Sequence, residues 1–170
     1  MRIIGGVLKG RTINPPAGYK ARPTTDYARE GLFNILNNEY EFEDLKVLDL
    51  FGGTGAIAFE FASRGASRVY CVEMLRENAS FIKTEAARLG LKNVTMVRDN
   101  VFDFLPLCHE KFDIVFADPP YALDNLQSLP KQHPLRTLSC CAKQALQSKV
   151  HDLANQDDVR FLFHRAFHIQ

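Results

Sequence analysis

The sequence predicts an α/β fold of the doubly wound, Rossmann-like kind, a parallel sheet with helices on both faces, preceded by a small β-hairpin arm. Three observations carry this expectation. Four short apolar stretches, Lys46 to Phe51, Arg68 to Glu73, Val94 to Arg98 and Phe112 to Ala117, alternate with helix-like stretches near 55 to 64, 75 to 89 and 100 to 105. The strand candidates look covered on both faces, as strands of a parallel sheet are. A glycine turn, Gly52-Gly53-Thr54-Gly55, leads from the first strand straight into a helix. Strand and helix in strict alternation imply right-handed βαβ units, and such sheets bind their ligands at the carboxyl ends of the strands.

Taken in order, Met1 to Ile13 alternates around Gly5-Gly6 and Lys9-Gly10 like a hairpin, and Asn14-Pro15-Pro16-Ala17-Gly18 breaks it. A loop with Arg22-Pro23-Thr24-Thr25 follows. Ala28, Leu32, Ile35 and Leu36 then recur at helical spacing, with Thr24, Thr25 or Asp26 available as N-cap. Gly65 and Gly90 stand where helix C-termini would want them. At 170 residues the chain suits one core, so the organisation expected is an arm over residues 1–24 and a single domain over residues 25–170.

Composition narrows the class. Hydrophobic residues make up 46% and charged residues 24%, with no apolar run of membrane-spanning length and no signal-peptide pattern, so a cytoplasmic protein is expected. Cys71, Cys108, Cys140 and Cys141 lack C-x-x-C spacing, which argues for reduced thiols and against zinc. The net charge of +1 hides a division: residues 1–25 carry +5, residues 26–130 carry −7, and residues 131–170 carry +3. A basic arm beside an acidic body suits a polyanionic partner at one edge, or else a solvated hairpin.

The candidate chemistry lies where strands would end. Gly53-x-Gly55-x-x-Ala58 fits a dinucleotide fingerprint, with Glu73 after the second strand placed for ribose hydroxyls. Glycine is expected there for unusual φ and to let a ligand approach. Asp49 discriminates between ligands, because a carboxylate at the mouth of the turn repels a pyrophosphate and attracts the cationic amino group of S-adenosylmethionine. It could instead cap the turn. Asp99, after the third strand, could accept a hydrogen bond from an adenine amino group, with Val101 or Phe102 over the ring, or could cap the following helix. The fourth strand ends in Asp118-Pro119-Pro120-Tyr121. The prolines cannot continue a sheet and leave it as a stiff corner with free carbonyl oxygens. A carboxylate, a rigid turn and an aromatic face together can hold a planar amine, although Pro-Pro could simply end the strand.

These residues resemble the RsmD-type methyltransferases, which modify a guanine N2 in bacterial 16S ribosomal RNA. The resemblance rests on Met1-Arg2-Ile3-Ile4-Gly5-Gly6 with Lys9-Gly10-Arg11, on Arg22-Pro23-Thr24-Thr25-Asp26 with Arg29-Glu30 and Leu32-Phe33-Asn34, on Asp49 to Gly55, and on Asp118 to Tyr121. It covers about residues 1–129. It implies a class I S-adenosylmethionine-dependent methyltransferase fold, with cofactor contacts at Asp49, Phe51, Gly53, Gly55, Glu73, Asp99, Asn100 and Val101. It also implies a base-holding site at Asp118, Pro119, Pro120 and Tyr121, and RNA contacts at Arg2, Lys9, Arg11, Arg22 and Thr24. The partner implied is 16S ribosomal RNA or the small ribosomal subunit particle, met by a monomer without metal or membrane.

The tail departs from that pattern. Lys131-Gln132-His133-Pro134 is followed by Thr137 to Ala154, which reads as a polar helix around Cys140-Cys141, and only Val159 to Ile169 looks strand-like. The expectation is an atypical C-terminus from about residue 130 that leaves one sheet edge short of strands. His133, His151, His164 and His168 lack the tight spacing of a metal site. Three rival functions compete with the RNA reading. DNA adenine-N6 methylation shares Asp-Pro-Pro-Tyr but usually needs a target-recognition domain for which there is no room. Protein glutamine methylation would call for Asn in place of Asp118. An inactive RNA-binding remnant remains the main rival.

Overall fold

A computed structural model describes residues 1–15 and 24–119, together with the backbone of residues 137–140 and 160–163. Arg22, Pro120, Tyr121, the four tail histidines and most of the stretch from 120 onward lie outside the described residues. Among the described residues six strands form one sheet. They are β1 (Lys46–Asp49), β2 (Arg68–Val72), β3 (Val94–Val97), β4 (Ile114–Ala117), β5 (Thr137–Cys140) and β6 (Arg160–Phe163), in the order β3-β2-β1-β4-β5-β6. Every pairing between them is parallel. Val47 stands opposite Val69 on one side and Ile114 on the other, which fixes the register at the centre of the sheet.

The helices are α1 (Asp26–Glu39), α2 (Ala56–Ser63), α3 (Arg76–Leu89) and α4 (Val101–Leu107). Side-chain alternation along the strands sorts the core into two faces. Val47, Val69, Cys71, Ile114 and Phe116 belong to the cluster that includes residues of α1, α2 and α3. Leu48, Val72, Val115 and Ala117 join Val101 and Leu105 of α4 on the other. Both faces are thus covered, which is why the strands read as continuous apolar runs. Phe33, Phe42 and Phe61 meet at ring-centroid distances of 4.8 to 5.9 Å, with the Arg64 guanidinium 4.5 Å from the centre of the Phe33 ring. Edge-to-face geometry of this sort adds about 0.5–1.5 kcal/mol per pair to the area buried.

The caps fall as local chemistry requires. Thr25 caps α1 by accepting from the Ala28 N–H at 3.2 Å. Gly90 closes α3 in the left-handed conformation with φ +72°. Asn100 caps α4, accepting from Phe102 N–H, while Asp99 accepts from Asn100 N–H at 2.8 Å. The N-terminal arm pairs antiparallel at Arg2 and Thr12, supported by bonds between Ile3 and Arg11 and between Ile13 and Met1, and a short 3₁₀ turn at Gly6–Leu8 forms its tip.

The tail corrects the expectation of a helix from Thr137. Thr137–Cys140 is a strand, paired to the free edge of β4, and Arg160–Phe163 pairs with it in turn. The edge beyond β4 therefore carries two strands, of which β6 lies within Val159 to Ile169, the stretch that looked strand-like. The reason is tertiary: the outer edge of β4 offers a row of backbone donors and acceptors that a strand can satisfy and a helix cannot.

The arm is seated by α2, all eight residues of which are buried. Gly6 has φ +73°, and a Cβ there would collide with the Ser63 carbonyl. Gly10 has φ +84° but nothing within 4 Å of a Cβ. Gly6→Ala is therefore expected to cost about 2 kcal/mol or more, from left-handed strain plus overpacking, and Gly10→Ala about 1 kcal/mol from strain alone. Thermal unfolding of the two variants side by side checks this, and equal losses would contradict the seating of the arm.

Candidate functional site

The chain order reverses at β1, which has β2 on one side and β4 on the other. In open parallel sheets the crevice at such a reversal, beyond the carboxyl ends, is where ligands bind. Asp49 ends β1, Glu73 directly follows β2, and Asp118 directly follows β4, so these residues share one rim with the Gly52 to Gly55 turn. Asp99 follows two residues after β3 on the same rim.

The turn is built from inside. Gly53 and Gly55 have φ +54° and +75°, in the left-handed region that side chains rarely adopt. A Cβ on Gly52 would run into Cys71 Sγ, and one on Gly55 would come within 2.8 Å of the Phe59 ring. The sequence suggested ligand approach as a reason for these glycines. At Gly52 and Gly55 the crowding comes from the protein's own β2 and α2. Glu73 ties the turn together: its carboxylate accepts from Gly53 N–H at 2.8 Å and from Leu75 N–H at 2.7 Å. Each oxygen keeps a further lone pair for a hydroxyl donor.

Asp49 is the unusual group. It is 1% exposed, and its Oδ1 has no hydrogen-bond partner among the described residues. Cys71 Sγ lies 4.0 Å from its Oδ2. Burial pushes the Asp49 carboxyl up to about 7, with the Asp118 and Glu73 carboxylates adding to the rise and the Phe51 backbone opposing it. Burial likewise raises Asp118 to about 6, and it raises the Cys71 thiol well above its usual range. A buried carboxylate with an orphaned oxygen is costly unless a cation or donor meets it. Perturbed acids in a crevice mark a functional site with a physical reason. The orphaned oxygen and the glycine turn fit a ligand that brings a cationic amino group.

Other expected residues are placed as follows. Phe51 is partly buried and packs against the α4-face core, as does Phe102, while Val101 is buried within that core at 5% exposure. Asp118 and Pro119 are half-buried at the rim. Lys9 and Arg11 are exposed on the arm, and Arg2 is exposed with its Nε 3.4 Å from Asp26. Thr24 is half-buried, and its carbonyl accepts from Arg29 Nη1 at 3.3 Å. Among the described residues no cluster of metal-ligating side chains occurs, and no helix is long and apolar enough to cross a membrane.

Sequence reasoning gave no role to Glu60, Arg29, Arg64 and Thr54. Glu60 had a signal, as a lone acid inside the apolar stretch Ala56-Ile57-Ala58-Phe59-Glu60-Phe61-Ala62. In the fold it is 0% exposed, accepts from Ile4 and Gly5 N–H at 2.6 and 3.2 Å, and lies 3.8 and 3.5 Å from the Nε atoms of Arg29 and Arg64. Burial raises its carboxyl, while the Ile4 N–H and the two guanidinium groups oppose the rise.

Comparison with known proteins bears on the family and the fold. The model of the family described as conserved hypothetical protein 95 matches residues 1–153, and the chain belongs to that family. The protein named ribosomal RNA small subunit methyltransferase D from Buchnera aphidicola subsp. Baizongia pistaciae is 36% identical over 121 residues, 71% of this chain. The chain spans 61% of the length of that relative and 60% of the length of its Escherichia coli K12 counterpart, which is 38% identical. A solved structure of a hypothetical protein from Thermus thermophilus superposes with a TM-score of 0.69 at 35% identity, over 78% of this chain and 75% of that one. A precorrin-6y C5,15-methyltransferase from Geobacter metallireducens GS-15 has a TM-score of 0.62 at 18% identity, over 80% and 74% of the two chains, a likeness of fold. The fold is thus that of the class I methyltransferases.

The Asp49 carboxyl keeps its proton to about pH 7 when folded, whereas an unfolded aspartate loses it near pH 4. Between those values the folded state binds more protons, so stability falls as pH rises across the window. Asp49→Asn is expected to flatten the Tm-against-pH curve between pH 5 and 8 and to stabilise the ligand-free protein at pH 8 by about 2 kcal/mol or more. An unchanged curve would show that the buried carboxyl is not the source.

Proposed function

We propose that this member of the family is an S-adenosylmethionine-dependent methyltransferase that modifies the exocyclic N2 amine of a guanine in 16S ribosomal RNA. The observation that carries the reading is the convergence of Asp49, Glu73, Asp99 and Asp118 on one rim of the sheet, with a buried Asp49 oxygen lacking any partner among the described residues. Asp49 receives the cationic amino group of the cofactor, Gly53 and Gly55 shape the turn beneath it, and Glu73 takes the ribose hydroxyls. Asp99 and Asn100 serve the adenine edge, and Phe51 with Val101 backs its ring. When bound, the cofactor supplies an electrophilic methyl group on a positively charged sulfur.

The remaining work falls to the chain's own residues. A guanine N2 is a weak nucleophile because its lone pair is delocalised into the ring. Asp118 and the Pro119 carbonyl accept its two hydrogens, which favours a pyramidal nitrogen with a directed lone pair, and Asp118 is placed to take the proton the amine gives up. Pro120 keeps the corner stiff, and Tyr121 stacks on the extruded base, a contact worth about 1–3 kcal/mol.

The basic arm supplies the RNA context. Arg2, Lys9, Arg11, Arg22 and Thr24 grip the phosphate backbone, with the arm of residues 1–24 acting beside a methyltransferase domain of residues 25–170. The substrate is 16S RNA or a small-subunit particle, and the protein works as a cytoplasmic monomer.

Labelled cofactor offered together with undermethylated 30S particles, naked 16S RNA and DNA tests the reading. Transfer to DNA with none to RNA would overturn it, and cofactor binding without transfer to any of them would favour the RNA-binding remnant. Asp118→Ala is expected to lower turnover by at least about 100-fold with cofactor affinity near normal. Because Asp118 must be ionised to accept an amine hydrogen and take up its proton, wild-type turnover should rise with pH through about 6 and then level off. Replacing both Lys9 and Arg11 by Ala should weaken RNA binding and reduce the slope of log affinity against log salt by about 1 to 2. Filter binding at several salt concentrations measures that slope.

A further inference from the structure

We propose that Arg29 and Glu60 are positioning residues that join the RNA-facing arm to the cofactor turn, so that RNA on the arm and cofactor at the turn tighten each other's binding. The inference rests on the functional reading above for the identity of the two ligands. The connection itself is read from side-chain geometry.

Arg29 is 0% exposed, so it cannot touch either ligand directly. Its guanidinium gathers three segments. Nη2 donates to the Arg2 carbonyl at 2.5 Å and to Asp26 Oδ1 at 2.7 Å, and Nη1 donates to the Thr24 carbonyl at 3.3 Å. Arg2 and Thr24 are RNA contacts in the functional reading, one near the start of the arm and the other two residues before α1. Nε lies 3.8 Å from Glu60 Oε1, an ion pair inside the core.

Glu60 carries the connection into α2, whose N-cap is Gly55 of the cofactor turn. Its carboxylate holds the arm by the Ile4 and Gly5 N–H groups, and one turn later Ser63 Oγ donates to the Gly5 carbonyl at 2.6 Å and accepts from Leu8 N–H at 3.0 Å. A second route is direct: Met1 Sδ lies 3.5 Å from Arg29 Nη1 and 3.7 Å from Thr54 Oγ1, inside the turn itself. Lifting the arm would therefore leave a buried carboxylate short of two donors and withdraw Met1 from Thr54. Restraint from cofactor at the turn, or from RNA on the arm, holds the same contacts closed. By linkage the two effects must be equal in size.

The test uses the full chain with S-adenosylhomocysteine and undermethylated 16S ribosomal RNA as probes. Calorimetry of S-adenosylhomocysteine with and without saturating RNA should show at least about fivefold tightening in the wild type. Amide exchange at Ile4 and Gly5 should slow when S-adenosylhomocysteine binds. Arg29→Lys keeps the charge opposite Glu60 and loses the guanidinium fork. It should bind S-adenosylhomocysteine alone within about twofold of wild type, while the RNA-dependent tightening falls below about twofold and the arm protection disappears. Ser63→Ala loosens the arm without touching either charge and should lose part of the tightening, which keeps the inference open to refutation if Arg29→Lys does not fold.

A folded Arg29→Lys, or Ser63→Ala, with wild-type coupling would overturn the inference, because a merely structural role would lower Tm and leave coupling intact. Methyl transfer to RNA with no coupling in the wild type overturns the inference and leaves the functional reading standing. Cofactor-dependent protection of Ile4 and Gly5 without any RNA binding supports the connection and overturns the RNA reading.

Discussion

The buried carboxylate of Glu60 is the constraint around which the first half of this molecule is arranged. An anion taken out of water costs several kcal/mol unless donors and opposite charge replace its hydration. Here the replacements come from elsewhere in the chain: two backbone amides from the arm, Arg29 from α1, and Arg64 from the end of α2. None of these groups could satisfy Glu60 from its own helix turn except Arg64. The arm, α1 and α2 must therefore assemble together, and the Phe33, Phe42 and Phe61 cluster packs beside the same network.

A second buried acid divides the labour. Glu60 has its donors and serves the architecture, whereas Asp49 sits equally deep with one oxygen unmatched. The difference follows from position. Glu60 lies mid-helix, where neighbouring elements close over it, and Asp49 lies at the carboxyl end of β1, where the strand order reverses, the position at which open parallel sheets bind their ligands. The fold thus gives Glu60 donors from several elements and leaves one Asp49 oxygen without a hydrogen-bond partner among the described residues, while the Glu73 and Asp118 carboxylates raise the Asp49 carboxyl further.

Much of the architecture was legible. The helices at 56–63 and 76–89 and strands β1 to β4 fall within a residue or two of their expected limits, and the helix at 26–39 contains the expected Ala28 to Leu36 repeat, because apolar spacing and caps such as Thr25 and Gly90 are local signals. The rim acids were legible for a related reason, since each ends, directly follows or closely trails a strand. What failed was non-local. Thr137–Cys140 reads as helix by itself and becomes strand because β4 offers it an edge. Gly53 and Gly55 carry the unusual φ expected of the turn, and the tertiary structure adds that a Cβ on Gly52 or Gly55 would meet Cys71 or Phe59.

By itself the sequence determined the doubly wound parallel class, the order of its first elements and the chemical inventory of the rim, because periodicity, capping and a glycine turn are properties of neighbouring residues. Only the tertiary structure decided that one buried Asp49 oxygen has no hydrogen-bond partner among the described residues, that Glu60 draws donors from the arm, and that the arm is bonded to the helix opening from the glycine turn. Desolvation and pairing depend on what folds over a residue from 20 to 60 positions away, and no local pattern carries that information.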